Sequence, residues 1–185
     1  MPTTLPSFYD LGPLEKVAVN LFYGWGYNFY RQENQLRADD QLIRSKVGLL
    51  LGSARKSLET AERDYRRVHL PPPSREKPRH EPEAIAGAQT IERLAHALGA
   101  LQGQISSQPV PENDRMTQRY RQEAATLERL IESDKKLVGQ AEILRAAVEG
   151  KDGKWLVENE AEVKEGFTAI GETLRSRQLL LFPSV

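Results

Sequence analysis

Six aromatic side chains fall within nine residues, Phe22 to Tyr30 (FYGWGYNFY), out of thirteen in the whole chain. Directly after them, RQENQLRADDQLIR carries Glu33, Arg37, Asp40 and Arg44 at i, i+4, i+7 and i+11. These residue types can do chemistry together. A tyrosine hydroxyl can give or take a proton, and an arginine can clamp an anion. Tyr23, Tyr27 and Tyr30 with Glu33, Arg37 and Asp40 would line a pocket in a small-molecule-binding bundle or in an enzyme of unfamiliar type. The same segment can instead be a contact surface. Tyr and Trp are frequent interface anchors, since each brings a large area at small entropic cost. On a helix, Phe22, Trp25 and Phe29 share one face, while Tyr23, Tyr27 and Tyr30 share an adjacent one. One face can go to the core. The other needs cover from the N-terminal tail, from further helices or from a partner.

The charged residues also have two readings. Glu33–Arg37 and Asp40–Arg44 are i, i+4 pairs of favourable order, which in solvent contribute only about 0.3–0.5 kcal/mol each. Turned toward another helix, the same row would be a partly buried polar network that sets register or lines a pocket. Asp39 and Asp40 are neighbours on different faces and make no carboxylate dyad. Asp134 and Glu160 fall on or beside apolar stripes, where a buried carboxylate needs a partner. Arg37 and Arg44 are the candidates for that role, and the simpler reading is that the two stripes are imperfect at their edges.

Other chemistries find little support. None of the three histidines completes the Glu-x-x-His pair of a di-metal bundle, and Glu92 with His96 stands alone at i, i+4. No metal site is expected, and no cofactor. No nucleophile motif occurs, and the glycines of LLLGSARKS and ALGALQG lie in helical patterns rather than after a strand. Gly87, Gly99 and Gly103 are expected to admit close helix packing.

Composition narrows the classes further. The 26 basic residues equal the 26 acidic ones, and no segment is a basic arm. A dedicated nucleic-acid binder would carry a basic excess. The absence of cysteine excludes disulfides, thiolate metal sites and cysteine nucleophiles. The N-terminus lacks a basic region followed by an apolar one, so no signal peptide is expected and a cytoplasmic protein is the default. The apolar stretch Val17 to Tyr30 is too short and too interrupted to span a bilayer. Peripheral membrane contact through the aromatics would want a Lys/Arg-rich polar face, which is missing.

Helices must position these residues. Leu14, Val17, Ala18, Leu21 and Phe22 recur at helical spacing after Pro13, and Leu36, Ile43, Val47, Leu50, Ala54, Leu58, Ala61, Tyr65 and Val68 continue a stripe. Phe22, Phe29, Leu36, Ile43 and Leu50 are seven apart, which carries the phase through Gly24 and Gly26. One long helix over 13–69, kinked at those glycines, follows from this. The five prolines of LPPPSREKPRHEP (70–82) make a stiff linker. Helices over 83–106, 112–149 and 154–180 follow, the last two separated by Gly150-Lys151-Asp152-Gly153.

The pattern predicts an all-α fold, an antiparallel bundle of about four helices with a long first helix. It is one domain over 13–181, with tails at 1–12 and 182–185. The leading functional expectation is a non-enzymatic interaction or self-association module. It would work through 22–44, with Tyr23, Trp25, Tyr27, Tyr30, Glu33, Arg37, Asp40 and Arg44 at the contact. Its partner would be a second copy or another protein, not nucleic acid.

Overall fold

The computed structural model describes residues 7–25, 36–75, 79–108 and 124–181; of 36–40, 124–128 and 181 the backbone alone is described. Among the described residues there are six α-helices and no strand. We number them α1 (Leu11–Gly24), α2 (Leu36–His69), α3 (Pro82–Ser107), α4 (Ala124–Val148), α5 (Gly153–Glu158) and α6 (Glu160–Leu181).

α1 begins where the sequence suggested. The Asp10 side chain caps it by accepting from the Gly12 N–H at 3.2 Å, and Pro13 sits in the first turn, where no donor is missed. Leu14, Ala18 and Phe22 form its buried stripe. It ends at Gly24, with Trp25 as C-cap donating its N–H to the Leu21 carbonyl. The second glycine of the expected kink, Gly26, lies outside the described residues, as does everything to Gln35.

Packing fixes the directions. Leu14 lies on Gly139 and Glu15 meets Lys135, so α1 runs antiparallel to α4. Arg44 reaches Gln108 while Arg66 reaches Glu92, so α2 and α3 are antiparallel. Tyr65 near the end of α2 touches Gly153, just past the end of α4, and α2 packs on α4. α2 and α4 therefore run together. α1 and α2 consequently run in opposite directions, and residues 26–35 between them, where the expected kink falls, lie outside the described residues.

α4 occupies the middle, packed against α1, α2 and α6. Its sequence shows this as five consecutive buried residues, Leu137, Val138, Gly139, Gln140 and Ala141. A helix with one exposed face could not bury such a run. α3 packs on α2 and also contacts α5 and α6; Ile91, Leu94, Leu98, Leu101 and Ile105 of its expected apolar face are buried, whereas Ile85, expected on the same face, is 40% exposed.

Two details depart from the periodicity. On α2 Leu51 is fully buried where Leu50 was expected; Leu50 is half-buried and Val68 is exposed. A seven-residue repeat drifts about 20° per heptad on a straight helix, so a seam read by sevens slides off the core. The expected helix over 154–180 is interrupted at Asn159. That residue is the C-cap of α5, and both its backbone N–H and its side-chain Nδ2 donate to the Trp155 carbonyl. Upstream, Gly150 with φ +67° terminates α4 and Asp152 caps α5.

No helix among the described residues is long and apolar enough to cross a membrane.

Candidate functional site

Of the segment singled out by its chemistry, Tyr23, Trp25 and Arg44 have described side chains. Tyr27, Tyr30 and Glu33 lie outside the described residues, and Arg37 and Asp40 are seen as backbone of α2. Helical geometry separates the first aromatics as their spacing implied. Phe22 points into the core; Tyr23, the next residue, is 83% exposed. Trp25 is half-buried. Its ring meets Phe22 edge-on at 5.7 Å, and Lys46 Nζ stands over it, 5.1 Å from its centre. Both contacts are favourable, the first through the ring quadrupoles and the second through the cation over the ring face.

Arg44 is two residues from Lys46 and so faces elsewhere. It is buried, and its Nη1 donates to the Gln108 carbonyl at 2.5 Å near the end of α3. Of its two readings, this is the inward one. A buried guanidinium there supplies donors where the last carbonyls of α3 have no helical partner. Tyr23 and Trp25 thus both stand at the C-terminal end of α1, Trp25 against Phe22 and Lys46 and Tyr23 in solvent, and Arg44 is committed to the α2–α3 pair.

The expected partners of Asp134 were Arg37 and Arg44. The observed one is Arg177 of α6: its Nε donates to Asp134 Oδ1 at 2.5 Å, and both side chains are 1% exposed. This residue was missed, although a signal existed. Arg177 follows Ile170 by seven and Leu174 by three, so it lies on the apolar stripe of α6. A charge on such a stripe requires a partner, and Asp134 is the matching anomaly on α4. Glu160, the other suspected carboxylate, is half-buried and pairs with Lys164 at 2.6 Å one turn along α6.

Beside the buried pair, α1, α4 and α6 enclose a groove of about 670 Å³. Leu11, Leu14, Leu179 and Leu180 line it together with Ser133 and Thr173 and with charged residues that include Glu132 and Lys136. Leu11 and Leu179 are 62% and 61% exposed, an apolar rim left in solvent. Charged groups along it are partly matched within the fold. Lys135 Nζ meets Glu15 at 2.5 Å. Nearby, the Tyr9 pKa is raised above its ordinary value, first by desolvation and then by the carboxylates of Glu172 and Glu165. The Ser133 and Thr173 hydroxyl oxygens are buried and take no hydrogen bond among the described residues.

Glycines set how closely these helices approach. A Cβ on Gly139 would lie 2.5 Å from the Leu14 carbonyl oxygen, backbone against backbone. Of the three glycines expected to admit close packing, Gly87 lies under the Tyr65 ring and Gly99 under Arg55, whereas Gly103 has nothing within 4 Å.

No group of three or more potential ligands that could hold a metal ion occurs among the described residues. No family model, curated protein or solved structure matches the chain.

Proposed function

We propose that this chain is a non-enzymatic helical-bundle module that self-associates or docks a protein partner through the aromatic end of α1 and the segment that follows it, residues 22–44. In this reading α2, α3, α4 and α6 are a four-helix core, α1 is the helix that presents the contact, and the setting is cytoplasmic. One observation carries it: Tyr23 is 83% exposed beside a tryptophan already braced by Phe22 and Lys46. A large amphipathic side chain with only two rotatable bonds loses little entropy on binding, which is what an interface anchor requires.

The test is light scattering behind size exclusion over a range of concentrations, with pull-down of partners from the source cell. We expect a mass above the 20.9 kDa of one chain, or a specific partner. Tyr23→Ala should weaken that association about 30-fold, the effect of losing a central anchor of about 2 kcal/mol. Because Tyr23 is exposed, the fold should be unchanged. Association that is indifferent to Tyr23→Ala and Trp25→Ala, or a monomer at every concentration with no partner, sinks this reading.

The groove between α1 and α6 favours a second reading, a small-molecule-binding bundle whose pocket lies there. Its volume of about 670 Å³ and leucine lining suit a compact ligand with an apolar body. An anilinonaphthalene sulfonate dye should then gain fluorescence on binding, and Leu179→Asp should abolish the gain. Equal fluorescence with both proteins would remove the groove from consideration.

A further inference from the structure

A second concavity, of about 640 Å³, lies at the other end of α2 from Lys46, between the last turns of that helix and the 150–154 turn that joins α4 to α5. Its lining is unlike the groove. Lys56 comes from α2, and Lys151 and Lys154 come from the turn. The hydroxyls of Ser53 and Thr60 lie on the α2 side. The rings of Tyr65 and His69 form a wall, 4.3 Å apart and inclined at 36°.

Two carboxylates also line the space, and both are engaged. Asp64 pairs with Arg67 at 3.1 Å, and Asp152 Oδ1 accepts from the Trp155 N–H at 2.8 Å as the cap of α5. The cations are engaged less. Lys56 has no ion pair among the described residues, and Lys154 stands 3.9 Å from Glu158, at the limit of an ion pair. Lys151 lies 4.7 Å above the Trp155 ring, a contact that leaves its N–H donors available.

The ring wall is built in. A Cβ on either Gly87 or Gly153 would collide with Tyr65, so these two glycines make the slot that holds the ring. The position is therefore rigid, whereas the lysine stems around it can adjust.

We propose that this concavity binds a small phosphate monoester. Lys56 and Lys151, with Lys154, hold the phosphate, and the organic group lies against Tyr65 and His69. The chemistry is complementary. A phosphate dianion takes charge-assisted hydrogen bonds from several directions, and lysine supplies them as a point charge on a flexible stem. Ser53 and Thr60 add hydroxyls. The volume lies within the range of roughly 300–1,000 Å³ common for small-ligand sites. The site is far from Tyr23 and does not depend on association there.

Amide NMR of the full chain tests this, by titration with phenyl phosphate, inorganic phosphate and benzoate at constant ionic strength. Saturable shifts should be confined to residues 53–69 and 150–154. Phenyl phosphate should bind about fivefold more tightly than inorganic phosphate, since a ring stacked on Tyr65 and His69 adds about 1 kcal/mol. Lys56→Gln and Lys151→Gln should each weaken it about threefold, as expected for partly exposed charge pairs, and Lys16→Gln on α1 should leave it unchanged. Shifts that never saturate, that spread over lysines throughout the chain, or that survive both substitutions would overturn the assignment. So would benzoate binding as well as phenyl phosphate. Tighter binding of a phosphoserine peptide at the same amides would replace the small ester by a protein ligand, and the proposal would fail in that form.

Discussion

Arg177→Met should cost about 3–5 kcal/mol of stability, the largest loss expected from any single substitution in this fold. The change leaves the Asp134 carboxylate buried between α4 and α6 without the guanidinium that donates to it. Taking a charge out of water costs several kcal/mol, and it is tolerated here because its counter-charge is 2.5 Å away. Asp134→Leu should also be costly, since it removes the carboxylate that accepts from the buried Arg177 Nε. The double variant Asp134→Leu/Arg177→Met should recover most of the loss, because two apolar side chains need no mutual compensation. Urea unfolding at neutral pH measures all three, provided the slope with denaturant stays constant. Single losses below about 1 kcal/mol, or a double variant that is simply additive, would show that the pair is not the energetic unit its geometry describes.

Gly139→Ala carries the second large effect, and its sign is the reverse of the usual one. Alanine normally favours a helix over glycine by about 1 kcal/mol. At Gly139 the added carbon would stand 2.5 Å from the Leu14 carbonyl oxygen and 3.0 Å from its Cα. Those are backbone atoms and cannot rotate aside. The helices must separate, at about 1–3 kcal/mol for overpacking, and the bonds around the contact go with them. These include Glu15 to Lys135 and Gln140 Nε2 to the Phe8 carbonyl. Amide exchange should rise along α1 while α2 and α3 keep their protection. Gly103→Ala is the contrast: it has nothing within 4 Å and should stabilise by about 0.5–1 kcal/mol. If Gly139→Ala stabilised as well, α1 would not be seated on α4 in the way described.

The sequence revealed faces more readily than neighbours. The stripe of α3 was readable because that helix buries one side, so period and burial coincide. α4 was harder: with α1, α2 and α6 around it, its buried run from Leu137 to Ala141 exceeds any single stripe. The suspicion attached to Asp134 was sound, yet its partner was sought on α2, because nothing local ties position 134 to position 177. Gly139 gave no warning for a related reason. A glycine's value lies in what approaches it, and Leu14 is distant in sequence. Tyr23 and Phe22 were separable by spacing alone, since adjacent helical residues point about 100° apart. Arg44 was not, because either the solvent or α3 could have faced it.

The mounting of α1 also gives it a separate energetic identity. Within the helix only Leu14, Ala18 and Phe22 are buried, and they are seated chiefly on one neighbour. α4, by contrast, is enclosed by three. Local opening follows the amount of apolar surface each unit hides, so α1 can leave its seat at a fraction of the cost of unfolding the remainder. Whatever grips Tyr23 therefore grips the least anchored long helix of the fold. A partner that prefers it seated would tighten the assembly, and one that prefers it released would draw Phe8 and Leu14 away from α4.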